Sequence, residues 1–271
     1  MYCCFRDGLY FVPALRTMSI LDCAFDGGSM SERTNAQRYA TAAAVTLLLF
    51  VVQCAVSRLS WRAAALLPDF PYDADGLYYR LSLHHVFQMT FALLLMLILH
   101  RATGMRGFKP APKYDRRGIM HVLIFCGVLM ACYIAVYIVG SFLHSIAIYD
   151  YKLSAGNIIG TLTFQLLLSG PSEELLFRSL PIAVFLAVLK EDSWSNRLLA
   201  IVFAALLFAF GHCNVFTRSF PCFQMCYAFV LGLAYGYTFV KTRSIIYPML
   251  MHSMSNVISV GGCYLYMLCT Q

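Results

Sequence analysis

Residues 158–189 read IIGTLTFQLLLSGPSEELLFRSLPIAVFLAVL, an apolar run whose only ionisable side chains are Glu173, Glu174 and Arg178. A membrane helix needs about twenty predominantly apolar residues, so this stretch decides the fold class: an all-α, polytopic membrane helical bundle. On insertion scales an Asp, Arg or Lys at the centre of such a helix costs about 2.5–3.5 kcal/mol. With Glu taken as equally costly, the three groups represent roughly 7–10 kcal/mol. A chain keeps them there if they pair or if they work, and an intramembrane ionisable residue is by default a functional-site hypothesis. Gly170-Pro171 stands just before the acidic pair and Pro181 just after it. Proline removes a helical hydrogen bond, and a broken helix at membrane depth is tolerated where the freed backbone faces protein or a water-filled cavity. The fourth helix is therefore expected to be broken at the level of its charges.

The rest of the chain agrees. Of 271 residues, 60% are hydrophobic and 12% charged, against about 25% charged in soluble domains. Seven spans are expected, near 39–57, 83–100, 119–143, 158–189, 198–213, 223–240 and 245–268. Their continuous apolar character lacks the alternation of a β-barrel. Gly156/Gly160 and Gly232/Gly236 read as small-residue pairs for close helix packing. Length favours one compact helical domain. The net charge of +7 comes from basic residues in loops, ordinary for topology and for anionic headgroups. No nucleic-acid partner is expected.

The loop at 101–117 holds Arg101, Arg106, Lys109, Lys113, Arg116 and Arg117. By the positive-inside rule it is cytoplasmic, and alternation from it puts the N-terminus inside and the C-terminus outside. Residues 1–38 form a polar segment without the features of a signal peptide. Met30 reads as a natural start, with residues 1–29 as an upstream extension. Eleven cysteines show neither a disulfide framework nor a zinc knuckle; one short-loop bridge, Cys213–Cys222, is a candidate.

Three elements carry polar residues that call for chemistry. Glu174 and Arg178 are i,i+4 and can pair on one helix face. Glu173 points about 100° away, which leaves one carboxylate held by a fixed cation and the other free for acid–base work. Phe208 and His212 close the fifth span. His252 and Asn256 share a face of the seventh. Two imidazoles, an amide and a carboxylate suffice to activate water and stabilise an oxyanion. Each element also has a structural reading: Glu174–Arg178 as an orienting ion pair, His212 as a helix cap, His252 and Asn256 as interhelical hydrogen-bonders. His84-His85, His100, His121 and His144 lie near span ends and are read as interfacial.

Glu-Glu-x-x-x-Arg, then Phe-x-x-x-His, then His-x-x-x-Asn, in this order on separate membrane helices, resembles the CPBP family. That family includes the type II CAAX prenyl endopeptidases, the Abi proteins and bacteriocin-processing or immunity proteins. Thr242-x-Ser244-x-x-x-Pro248 before His252 is similar to the family's approach to its last motif. The likeness covers roughly residues 155–260, so the chain divides into the polar segment 1–38, N-terminal transmembrane helices at 39–150 and a CPBP-like core at 151–268.

What the resemblance implies is intramembrane peptide hydrolysis. Glu173 would activate water with help from His212, His252 and Asn256 would stabilise the oxyanion, and Glu174 with Arg178 would buttress the site. Substrates would be membrane-associated, lipidated or C-terminal peptides, met within the lipid bilayer; in a bacterium the protein would sit in the plasma membrane. No cofactor is required on the favoured reading. A zinc alternative would use Glu173, His212 and His252, converging from three helices without a His-Glu-x-x-His helix. Competing readings are a non-catalytic binding or bacteriocin-immunity protein of the same fold, and a small proton-coupled transporter, the latter disfavoured by the lack of an internal repeat. Simple helical depth places Glu173 and His212 about 20 Å or more from the cytoplasmic boundary and His252 at roughly 10 Å, a mismatch the kinked fourth span has to absorb.

Overall fold

The computed structural model describes residues 34–73, 75–104, 115–146, 152–213 and 219–270. Expectations for residues 1–33 and for Arg106, Lys109 and Lys113 in the basic loop lie outside these. The described residues form seven helices, several of them started by a local device the sequence supplies. Helix α1 (Asn35–Ala65) opens on a capping box in which Thr34 and Gln37 bond each other's backbone. Helix α2 (Tyr79–Thr103) has the N–H groups of Leu77, Tyr78 and Tyr79 gathered on the Asp73 carboxylate. It stops at Gly104, whose φ of 69° is the left-handed conformation that glycine adopts without strain. Asp115 caps α3 (Arg116–Phe142), and Ser193 caps α5 (Trp194–Gly211). Helices α6 (Cys222–Thr242) and α7 (Ile246–Thr270) complete the bundle. Five of the seven, α1, α2, α3, α5 and α6, are long and apolar enough to cross a membrane.

Helix α4, residues 155–189, is where the expected break falls, and it takes an unusual form. The rod stays helical, but two π turns, Gln165–Ser169 and Leu175–Ser179, end directly ahead of Gly170-Pro171 and Leu180-Pro181. A proline has no N–H to return to the preceding turn, and a wider turn absorbs the mismatch. Such π turns concentrate at functional sites. Ahead of Pro181 the carbonyls without a backbone donor find side chains instead. Gln53 Nε2 of α1 donates to the Leu176 carbonyl at 3.1 Å, and Arg178 Nη1 donates to that of Phe177 at 3.4 Å.

Packing fixes where α4 sits. Leu176, Phe185 and Leu189 are buried against Val45 and Leu49 of α1, Ala92 and Met96 of α2, and Leu207 of α5. A second cluster joins Leu129 of α3 and Tyr235 of α6 to Met251 and Ile258 of α7. Otherwise α3 turns an apolar surface outward, with Ile124, Val128, Ile134 and Val139 exposed, as a lipid-facing helix does. Gly232 and Gly236 bring α6 onto Ala205 and Ile201 of α5. At Gly170 two backbones meet: a Cβ there would lie 2.6 Å from the Met249 carbonyl oxygen and 2.8 Å from the Ser253 nitrogen of α7. The candidate Cys213–Cys222 bridge is not formed. Both thiols are free and donate instead to nearby carbonyls, of Phe210 and Phe220 respectively.

Candidate active site

Ser172, Glu173 and Glu174 follow one another on α4, so they point in three directions about 100° apart. Each direction meets a different partner. Glu174 is fully buried; its Oε1 lies 2.8 Å from His252 Nδ1 and its Oε2 lies 3.5 Å from Arg178 Nε. An ionised carboxylate only accepts hydrogen bonds, so His252 donates from Nδ1 and turns Nε2 outward. Glu173 retains some exposure, 18% of its side chain, and its Oε2 stands 3.7 Å from that His252 Nε2. The depth mismatch between Glu173 and His252 is absent from the folded chain.

Arg178 is buried completely. Beside Glu174, its guanidinium lies 3.9 Å from the Phe208 ring centre and 5.4 Å from that of Tyr235. Space for it comes from Gly232, where a Cβ would sit 3.1 Å from Nη2. Tyr235 also stacks on His252, with ring centres 5.2 Å apart and planes 17° from parallel. The Tyr235 hydroxyl is tied to Ser255 Oγ at 2.8 Å. His252 is thus gripped by a carboxylate at Nδ1 and by an aromatic face.

His212 follows the last turn of α5. Its Nδ1 lies 2.9 Å from the Phe208 carbonyl, an acceptor, so the proton sits on Nδ1 and Nε2 is left as a base. The ring meets Phe208 edge-on at 4.9 Å, and His252 meets the same ring at 5.5 Å. Phe208 therefore packs against both histidines and carries Arg178. His212 forms no ion pair with Glu173, unlike His252. Asn256 Nδ2 donates to Ser169 Oγ at 2.8 Å, four residues before Glu173 on α4.

The fold thus joins Glu173, Glu174, Arg178 and His252 directly, sets His212 on the same Phe208 ring as His252, and places Asn256 one turn away. Of the three side chains the zinc alternative would use, Glu173 and His252 stand 3.7 Å apart, and His212 shares the Phe208 ring with His252. Among the described residues no group of three His, Cys, Asp or Glu side chains is arranged to hold a metal.

The interfacial reading of His84 and His85 is overturned, since only 5% and 4% of their surfaces are exposed. His84 stacks on Trp61 at 4.2 Å. His85 reaches the site itself: Nε2 lies 3.8 Å from Glu173 Oε1 and Nδ1 lies 2.7 Å from Ser172 Oγ. The available signal was the i,i+3 pair His85/Gln88, two polar residues on one face of an apolar helix.

Comparison with protein families matches residues 155–258 to the type II CAAX prenyl endopeptidase Rce1-like family. The match supports a CPBP family intramembrane protease. The matched segment contains the two carboxylates, Arg178, Phe208, both motif histidines and Asn256. Similarity to the Rce1-like family supports a CAAX-protease-like intramembrane endopeptidase in general terms, and with the apolar helices it supports an integral membrane protein. Among curated proteins, none matches the chain.

Proposed function

We propose that the chain hydrolyses peptide bonds of membrane-associated, lipidated or C-terminal peptides, with Glu173 as the general base. The observation that carries this is a division of labour between adjacent carboxylates. Glu174 is fully buried and committed to Arg178 and His252, whereas Glu173 keeps partial exposure and an imidazole at 3.7 Å. A base needs an unspent, reachable oxygen.

On this reading Glu173 takes a proton from water as the water oxygen attacks the scissile carbonyl. His212 Nε2 helps to orient that water. A proton shared between Glu173 and His252 Nε2 makes His252 a donor to the oxyanion. Asn256 supplies a second, because its amide has two hydrogens and Ser169 takes one. Losing one such donor typically costs about 10²–10³ in rate. When the tetrahedral intermediate collapses, the C–N bond breaks and the proton held by Glu173 goes to the leaving amine. The proposed chemistry needs no metal. The N-terminus is assigned to the cytoplasmic side and the C-terminus to the outside, on the strength of the basic 101–117 loop.

Purified Glu173→Gln and His212→Ala proteins, assayed in liposomes on lipidated and unlipidated peptides, should be folded and inactive. Wild-type turnover by either removes the assignment. Exhaustive chelation should leave the rate unchanged, and loss of activity restored by zinc would replace the metal-free mechanism.

A further inference from the structure

Glu173 has two oxygens, and the mechanism above uses only the neighbour of one. The other, Oε1, faces His85 of α2, outside the 155–258 segment. We propose that His85 is a positioning residue of the active site, presenting an Nε2–H to Glu173 Oε1 in a tautomer fixed by Ser172 and Gln88. The proposal rests on Glu173 being the general base.

Hydrogen-bond polarity fixes the tautomer. Gln88 Nε2 lies 3.0 Å from Ser172 Oγ, and an amide nitrogen only donates. Ser172 Oγ is therefore an acceptor in that bond, and its own hydrogen needs an acceptor elsewhere. Ser172 is fully buried, Gln88 and His85 nearly so, and an unpaired buried hydroxyl costs about 1–3 kcal/mol. Among the described contacts, the remaining partner of Ser172 Oγ is His85 Nδ1, at 2.7 Å. The hydroxyl donates to Nδ1, so the ring proton resides on Nε2. That proton points to Glu173 Oε1 across 3.8 Å, longer than a formed hydrogen bond. Catalytic contacts often stand this long without substrate and tighten when it binds.

Two histidines from two helices thus flank one carboxylate, each locked through Nδ1 to a residue beside it on α4. Their anchors differ. His252 is held by the anionic Glu174 and His85 by a neutral hydroxyl. His85 accordingly acts as a fixed neutral donor, and His252 remains the partner able to share a proton. Phe164 covers the His85 ring edge-on at 4.9 Å. Holding Oε1 sets the carboxylate plane and leaves Oε2 to face water and His252. The device serves orientation, and misplacing a reacting group by 1 Å can cost about 10² in rate.

The test compares His85→Phe, His85→Gln and Ser172→Ala with wild type and Glu173→Gln, reading kcat and KM separately alongside thermal stability in detergent. His85→Phe should lose about 10²-fold in kcat, with KM within about two-fold, since substrate binding is untouched. His85→Gln restores an N–H near the Nε2 position and should recover at least a tenth of wild-type kcat. Ser172→Ala keeps the ring and its packing but frees the tautomer, and should lower kcat without lowering it further in the His85→Phe background. Wild-type kcat in His85→Phe, or failure of His85→Gln to recover, overturns the proposal. If His85→Phe does not fold, an unchanged kcat in Ser172→Ala overturns it instead. Activity in Glu173→Gln would sink the general-base reading beneath it, a separate result.

Discussion

The Arg178 guanidinium carbon lies 3.9 Å from the centre of the Phe208 ring. This contact explains why a phenylalanine stands four residues before His212. The ring is a platform for a cation that has left water, and two histidines pack against it. A desolvated cation–π contact is worth about 2 kcal/mol or more. Phe208→Leu should lower stability by at least that amount, while Phe208→Tyr should stay close to wild type. Chemical unfolding in mixed micelles measures both. Arg178→Lys should not substitute for arginine, because an ammonium has no planar face to stack on the Phe208 ring. Arg178→Ala leaves Glu174 buried without its cation and should cost about 3–5 kcal/mol.

Gly170 carries the crossing of α4 and α7. Gly170→Ala would drive a methyl group into the Met249 carbonyl and the Ser253 nitrogen, so α7 has to retreat and take His252 with it. Activity should fall by about 10² or more, beyond what any change in melting temperature accounts for. Cleavage rates measured well below that temperature separate the two effects. Unchanged activity would show that the crossing tolerates expansion.

Gln53 makes a prediction about the prolines. Its amide caps the Leu176 carbonyl, within the second π turn. Gln53→Leu leaves that buried acceptor unsatisfied and should cost about 1–3 kcal/mol. Gln53→Glu should be worse, since an ionised carboxylate offers no proton to a carbonyl. Hydrogen exchange of residues 175–181 provides a local readout, with faster exchange expected in both variants.

Outside the bundle, Asp75 accepts from Lys152 Nζ at 2.5 Å and from Asn157 Nδ2 at 2.8 Å. The Lys152 hydrogen bond, then that of Asn157, holds the Asp75 carboxyl below its ordinary value. A carboxyl depressed in the folded state stabilises the fold at pH values above its unfolded pKa, about 3.9. That contribution disappears as pH falls through the lower folded value. Asp75→Asn should therefore show a smaller loss of melting temperature below about pH 4 than wild type does. The difference should shrink in high salt, since the pair is exposed.

The seven helices were legible in sequence because the apolar runs are long and most charges outside α4 fall between them or near their ends. The Glu174–Arg178 pair was legible as well, since i,i+4 spacing survives even across a π turn. His85 was not. Its partner Ser172 lies 87 residues away, and nothing in the spacing along α2 reveals which helix will face it. His212 was legible as a residue at the end of α5 that caps it, but the direction of its ring was not, because the bond to the Phe208 carbonyl sets it. The two π turns were visible only as prolines, because the identity of the residue that widens a turn depends on what receives the freed carbonyl.

The π turns of α4 also set the rotational phase of everything after them. Removing one residue from 165–169 would return that turn to ordinary pitch and rotate the helix beyond it by about 100°. Ser172 would leave α2, Glu173 would swing away from the space between its two imidazoles, and Glu174 would lose α7. The active-site alignment is thus stored as an integer, the number of residues in a turn. Single-residue insertions or deletions in this helix should be more damaging than most substitutions at the residues that do the chemistry.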